Sequence, residues 1–192
     1  MLKFVANNRY PERDRTIILL SAKAGMRAGE IAQLTWSMVL DANGHVSDTL
    51  ELRNRIAKKG SGRRVPMHPE LKKAVKAMYR ETVQKYGSAT GPVIRSERST
   101  GVPDTTASDT IKGMKPNSIV NWFSRLFNGL GLEGCSSHSG RRTFVTMAAR
   151  LVAKSGGSIR DVQQLAGHRS IEMTQRYIEG DTAAQRKLVN ML

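Results

Sequence analysis

The chain has few features that would cross-link it or place it in a membrane. Its single cysteine, Cys135, excludes an intramolecular disulfide and leaves no cysteine-based zinc site. No apolar run reaches the length of a signal peptide or the roughly 18 residues that a membrane span needs. We therefore expect no membrane partner and a reducing compartment, by default the cytoplasm.

Acidic residues are also scarce. The chain has 31 Lys and Arg against 16 Asp and Glu, which gives a formal net charge of +15 and a pI near 10.5. This excess is spread along the sequence, without the clustered tail or basic amphipathic helix that is typical of proteins bound to membrane surfaces. The expected partner is therefore a polyanion, most simply a nucleic acid.

The hydrophobic pattern predicts a single domain over residues 1–192, mainly α-helical with a small three-stranded antiparallel sheet. Pro11 fits a helix start and Gly25 a helix end. Residues 96–115 are rich in Ser, Thr, Asp and Gly, and we expect a surface loop there without catalytic residues. The predicted helices cover 11–24, about 26–34, 69–86, 116–129, 138–153, 158–166, 170–178 and 182–191, and the predicted strands cover 36–40, 49–56 and 64–67.

Two segments place an arginine in the first turn of a predicted helix. In the segment 136–142 the serines are good N-caps, so His138 and Arg141 share one face of a first turn, where free N–H groups and the helix dipole favour an anion. In the segment 25–30, Arg27 follows a glycine turn and Glu30 lies one turn later. The alternative for Arg27 and Glu30 is an ordinary surface ion pair.

A third segment combines a histidine with a tyrosine. Gly167 ends one predicted helix and Ser170 caps the next, and His168 lies between them. Tyr177 falls at the edge of the buried stripe of the second helix, so its hydroxyl could reach a cleft while its ring packs. For a lone tyrosine, amphipathic packing would be the ordinary interpretation.

The order of these segments resembles the tyrosine recombinase, or phage integrase, family. AGMRAGEIAQLTW at 24–36 is similar to the family's first arginine box, HSGRRTF at 138–144 to its His-x-x-Arg box, and LAGHRS with TQRYI at 165–178 to its last histidine and its tyrosine. Tyr177 follows His168 by nine residues, as in the family. The resemblance covers about residues 12–180 and implies the catalytic-domain fold of DNA breaking-rejoining enzymes.

The resemblance also implies an activity and a role for each residue. Tyr177 would attack a DNA phosphate to form a 3′-phosphotyrosine, from which religation needs no nucleotide cofactor. Arg27 and Arg141 would stabilise the charge of the pentavalent transition state without a metal ion, with Glu30 in support. By similarity His138 assists proton transfer and His168 hydrogen-bonds a phosphate oxygen. We accordingly expect double-stranded DNA as the partner and neither a cofactor nor a metal.

The leaving 5′-oxygen needs a proton, which in the family comes from a lysine in a β-hairpin. Counting back from Val65 and Pro66, Lys58 matches that position, and its neighbour Lys59 is the alternative. An ammonium whose pKa is lowered by nearby arginines suits a general acid better than a guanidinium. Without the resemblance to the family, the ordinary interpretation of both residues would be solvated lysines in a loop.

The chain departs from the family at two places. Many members have Leu where this chain has Gly140. Members also usually carry an N-terminal DNA-binding domain, which we expect to be absent here. The chain would then be either a fragment or a naturally short member, like the fimbrial inversion recombinases. The predicted helix 182–191 would dock on its own domain or on a neighbouring protomer of a DNA-bound homotetramer. On DNA the protein would be nucleoid-associated.

Two other functions remain open on the sequence. The segments 159–167 and 170–178 resemble a helix-turn-helix, which would make the chain a non-catalytic DNA-binding protein, although that gives no reason for the two distant arginine boxes. A type IB topoisomerase shares the phosphotyrosine chemistry but acts alone on one strand at a time.

Overall fold

The computed structural model describes residues 1–57, 61–97, 111–177, 186 and 189–191. These residues form a mainly helical structure with a small sheet, in agreement with the predicted class. None of the helices in these ranges is long and apolar enough to cross a membrane. The elements are α1 (Leu2–Val5), α2 (Pro11–Ala24), α3 (Ala28–Gln33), β1 (Thr49–Leu52), β2 (Arg63–Pro66), α4 (Pro69–Tyr86), α5 (Pro116–Gly129), α6 (Ser139–Leu151), α7 (Ile159–Ala166) and α8 (Ile171–Gln175), with short 3-10 helices at Trp36–Met38 and Ala153–Ser155.

The long helices begin and end where the sequence predicts. α2, α4 and α5 each start at a proline, which lacks the N–H group that a first turn cannot pair. α2 ends at Gly25, whose φ of 61° is the left-handed conformation that favours glycine. These three predicted helices are confirmed at both ends. The short helix α1 was not predicted.

The predicted three-stranded sheet is wrong in one strand. β1 and β2 pair antiparallel, with Leu50 opposite Val65, but the segment 36–40 begins with the 3-10 helix Trp36–Met38. The segment buries Trp36, Met38 and Val39. Successive side chains of a strand point to opposite faces, so a strand could not bury Met38 and Val39 on the same side of a sheet. A short helical turn buries all three, and only an isolated bridge from Leu40 to Val46 follows.

Other boundaries differ by a few residues. The helix predicted over 26–34 begins at Ala28, because Gly25 is left-handed and Arg27, the N-cap residue, is extended. The helix predicted over 170–178 ends at Gln175. In α5 the apolar side chain of Val120 lies outside the core, since the residue is 37% exposed. Most of the predicted helix 182–191 lies outside the described residues.

The apolar side chains form two clusters of unequal size. The large core gathers α2, α3, α4, α5 and the sheet, and α2 packs against both α4 and α6. The small cluster is built on Val145, Val162 and Ala166, from α6 and α7. Of the predicted site residues, Arg27 is the N-cap of α3, which belongs to the large core, and Arg141 lies in α6, which contributes to the small cluster.

Candidate active site

Arg27 is fixed by the turn that joins α2 to α3. It is the N-cap of α3, and its backbone N–H donates to Oε2 of Glu30 at 2.9 Å. Its guanidinium Nη1 donates to Oε1 of the same carboxylate at 3.1 Å. The Glu30 carboxylate is therefore an anchor for both ends of Arg27, which keeps a partly exposed side chain at the helix start.

Arg63 is a third arginine at this place, and the sequence analysis did not single it out. Its two terminal nitrogens donate to both oxygens of Glu30 at 2.9 and 3.1 Å, and its Nε donates to the carbonyl of Leu165 at 2.8 Å. Burial raises the pKa of Glu30, but hydrogen bonds and charge from Arg63 and Arg27 outweigh it, so the pKa lies below its usual value. The carboxylate stays ionised.

A signal for Arg63 was present in the strand pattern. Side chains two residues apart share a face of a strand, and Arg63 shares its face with Val65, which is buried. The side chain of Arg63 is 5% exposed, and that of its neighbour Arg64 is 76% exposed. A buried arginine needs hydrogen-bonding partners, and the sequence does not show that Glu30 is one of them.

Arg141 lies in the first turn of α6 and connects two other helix ends. Its Nη1 donates to the carbonyl of Gly25, and its Nη2 donates to the carbonyl of Ala166 at 2.7 Å. The residue is 4% exposed, so its side chain is buried where these helix ends meet. Burial, followed by the charges of Arg27 and Arg63, lowers its pKa to about 10, which leaves it charged at neutral pH.

The two carbonyls leave hydrogen-bonding capacity on Arg141. A guanidinium has five N–H groups, and these two bonds occupy one on each terminal nitrogen. The side chain can therefore hold the helix ends together and still donate to an anion in the cleft described below.

Gly140 explains why α6 can approach α2 so closely. A Cβ at this position would lie 2.4 Å from Oγ of Ser21 in α2. Many relatives have leucine at this position, whereas the glycine of this chain permits a tight contact between α6 and α2. This contact brings the first turn of α6 to the end of α2.

His168 and Tyr177 are held next to each other after α7. Gly167 ends α7 with a φ of 63°, and the buried His168 follows. The His168 ring stacks on the ring of Tyr177 with centroids 5.5 Å apart and an interplanar angle of 18°. Its Nδ1 lies 2.9 Å from Oγ1 of Thr174. Burial, and then the charges of Arg141, Arg27 and Arg63, lower the pKa of His168 to about 4, so the ring is neutral at neutral pH.

The predicted residues converge on one cleft of about 450 Å³. Glu30 lies beside it, paired with Arg27. Lys58 and Lys59 lie outside the described residues, but Ser61, just after them, is part of the cleft wall. The wall contains Arg27, His138, Arg141, His168 and Tyr177, together with further residues that include Ser136, Arg142, Arg169 and Met173.

The cleft combines cations with a neutral histidine and a phenol. His138, the N-cap residue of α6, is exposed, and its side chain is accessible for proton transfer. In the described part of the chain, no three His, Cys, Asp or Glu side chains group as metal ligands. Arginine donors around a phenol can bind an anionic ester and stabilise added negative charge.

The family model of the phage integrase family matches residues 1–183 of the chain. No curated protein matches this chain. The family match covers each of the residues that line the cleft.

Solved structures share the fold. The crystal structure of XerA recombinase has a TM-score of 0.70 at 23% identity, covering 99% of this chain and 61% of its own. A Tn1549 transposon integrase in complex with a circular intermediate DNA has a TM-score of 0.69 at 18% identity, covering 100% and 62%. A lambda integrase dimer bound to a COC' core site has a TM-score of 0.65 at 18% identity, covering 94% and 56%. The chain spans about six tenths of the length of the first two.

Proposed function

The chain belongs to the phage integrase family, and on that premise we propose that it is a site-specific DNA recombinase, with Tyr177 as the nucleophile that cleaves and rejoins DNA strands. This proposal rests on the cleft that brings Tyr177 together with residues from distant parts of the chain, namely Arg27, Arg141, His138 and His168. A plain DNA-binding protein needs no such convergence around a phenol.

The first step is binding of a DNA phosphate between Arg27 and Arg141. A phosphodiester carries a negative charge that repels a nucleophile, and the pentavalent transition state carries more. Two guanidinium groups can donate to the non-bridging oxygens and cannot lose their charge at neutral pH. The Glu30 carboxylate holds Arg27 ready for this contact.

The second step is attack by Tyr177. Its phenolic oxygen forms a bond to phosphorus as the bond between phosphorus and the 5′-oxygen breaks, and the product is a 3′-phosphotyrosine with a free 5′-hydroxyl. His138 accepts the phenol proton, and Lys58 gives a proton to the leaving oxygen. Religation is the same step in reverse, so no nucleotide cofactor is consumed.

His168 supports this step as a neutral hydrogen-bond donor. Its lowered pKa keeps it uncharged at neutral pH, and it stacks on the ring of the nucleophile. A neutral imidazole has one N–H, and we assign that N–H to a phosphate oxygen.

The choice of Lys58 as the general acid over Lys59 rests on the sequence. The position of Ser61 in the cleft wall supports a hairpin that borders the site. Replacing the bridging 5′-oxygen by sulfur gives a leaving group that hardly needs a proton. Lys58→Ala should be slow on ordinary DNA and recover on the sulfur substrate, whereas rescue of Lys59→Ala alone would exchange the two roles.

The partner that we propose is double-stranded DNA, bound by a homotetramer in the cytoplasm and associated with the nucleoid. The net charge of +15 supports a polyanionic partner. Three structurally similar proteins, a Tn1549 integrase, XerH and lambda integrase, are bound to DNA or a DNA substrate in their structures.

The proposal is tested with nicked suicide DNA substrates taken from the flanks of the protein's own gene. Cleavage next to the nick releases a short strand, so the covalent adduct accumulates and migrates slowly in denaturing electrophoresis. The wild type should form the adduct, with or without chelator, and Tyr177→Phe should not. Tyr79→Phe, at a tyrosine packed against the large core, is the matched control and should form it.

The alternatives give different results. A non-catalytic DNA-binding protein shifts the DNA in a native gel and leaves no adduct. A type IB topoisomerase forms the adduct and, as a monomer, relaxes supercoiled DNA that lacks these flanks. Loss of cleavage in chelator, with recovery in magnesium, would contradict the proposal in favour of a metal-dependent nuclease.

A further inference from the structure

We propose that Thr174 is a positioning residue, which selects the tautomer of His168 and ties this histidine to the nucleophile. The inference deepens the proposed function, because it rests on His168 as the neutral donor to a DNA phosphate.

Thr174 contacts both residues with different groups. Its hydroxyl Oγ1 lies 2.9 Å from Nδ1 of His168. Its backbone carbonyl accepts the N–H of Tyr177 at 3.1 Å, in the turn that follows α8. Since the His168 ring also stacks on the Tyr177 ring, the three residues form a closed set of contacts.

The tautomer follows from the direction of this hydrogen bond, in which we assign the Thr174 hydroxyl as the donor and Nδ1 of His168 as the acceptor. At neutral pH the neutral imidazole carries its proton on one nitrogen, and the other nitrogen is an acceptor. If Nδ1 accepts the hydroxyl proton of Thr174, the ring proton must lie on Nε2. Nε2 is then the donor that His168 needs for a phosphate oxygen, whereas the opposite tautomer would present a lone pair to that oxygen.

Burial strengthens the preference of His168 for this tautomer. Thr174 is 0% exposed and His168 is 7% exposed, so water has little access to their hydrogen bond. A buried hydroxyl or imidazole nitrogen without a partner costs about 1 to 3 kcal/mol. A threonine side chain also has few χ1 rotamers, and the one observed here places Oγ1 within hydrogen-bond distance of Nδ1 of His168.

The test uses the isosteric variant Thr174→Val, which removes the hydroxyl, and Thr174→Ser, which keeps it. Thr82→Val is the matched control, because Thr82 is also a buried helical threonine with a hydroxyl bond, to the carbonyl of Met78. The chain has 4 histidines, so NMR of protein labelled with 15N-histidine can report the tautomer, with His168→Gln to assign the signal. Single-turnover cleavage and DNA affinity are measured on the same variants.

We expect His168 to be the Nε2–H tautomer in the wild type, in Thr174→Ser and in Thr82→Val. In Thr174→Val the Nδ1–H form should gain population, and cleavage should slow on the order of tenfold, the effect of one hydrogen bond, with little change in DNA affinity. An unchanged tautomer in Thr174→Val, or the same slowing in Thr174→Ser, would overturn the inference. If the wild type forms no adduct, the proposed function is wrong, and the NMR result still decides the role of Thr174 toward His168.

Discussion

The buried ion pair between Arg63 and Glu30 ties β2 to the first turn of α3, and its loss should have a measurable cost in stability. The Arg63 side chain is 5% exposed and the Glu30 side chain 2% exposed. Arg64, the next residue in the same strand, pairs with Glu51 at 2.9 Å, but there the side chains are 76% and 55% exposed. The two neighbouring arginines therefore offer a matched comparison of buried and exposed pairs.

The expected magnitude follows from what each substitution leaves behind. Arg63→Met removes two bonds to Glu30 and one to the carbonyl of Leu165. Removing one partner of a buried pair costs about 3 to 5 kcal/mol. Since Arg27 still contacts the carboxylate, we expect the lower end, about 3 kcal/mol of the free energy of unfolding. Arg64→Met should cost less than about 1 kcal/mol.

Urea unfolding followed by circular dichroism measures both values. The double variant Arg63→Met/Glu30→Gln should lose less than the sum of the single variants, by at least about 0.5 kcal/mol, because it removes the buried charge that Arg63→Met leaves underpaired. Equal losses for Arg63→Met and Arg64→Met would refute the reasoning. Strict additivity in the double variant would refute it as well.

Three further expectations concern the cleft. Gly140→Ala should destabilise the fold, because its Cβ would lie 2.4 Å from Oγ of Ser21 in α2. Gly29→Ala should not, because no described residue outside its own helix has an atom within 4 Å of its Cβ. Thermal unfolding of the two variants measures the difference. Arg27→Ala and Arg141→Ala should each slow adduct formation by about 3 kcal/mol in activation free energy, and Arg141→Ala should unfold more readily than Arg27→Ala, because it leaves two carbonyls unpaired whereas Glu30 keeps Arg63 as a partner; wild-type cleavage rates would contradict the assignment. The pKa of His168 falls from 6.5 to about 4 on folding, so between these pH values the unfolded state binds more protons than the folded state. The free energy of unfolding should therefore fall as the pH drops from about 6.5 to 4, by up to about 3 kcal/mol. His168→Gln should lack this part of the pH dependence.

The sequence was informative where a single residue sets a backbone conformation. Proline at the start of α2, and glycine in a left-handed turn at its end, fix both boundaries through local sterics. Periodicity was less informative at 36–40, where alternating and consecutive burial look alike in so short a run. The 3-10 turn there is decided by long-range packing of Trp36 in the large core.

The site was predictable by residue type and order, and less so by contact. Family motifs brought out Arg27, Arg141 and Tyr177, which line one cleft. The burial of Arg141 and the role of Arg63 depend on carbonyls at Gly25, Leu165 and Ala166, from helix ends distant in sequence. Backbone carbonyls carry no sequence signal, so such contacts can be found only in three dimensions.

Tyr177 is the residue proposed to carry the cleaved DNA strand, and mapping the covalent adduct tests this role directly. The chain has 4 tyrosines, and protease digestion of the trapped complex, nuclease trimming of the DNA and mass spectrometry identify the modified peptide. We predict a nucleotide bound through its 3′-phosphate to the peptide that contains Tyr177. The same modification on a peptide with Tyr10, Tyr79 or Tyr86, or a bond through a 5′-phosphate, would contradict the account.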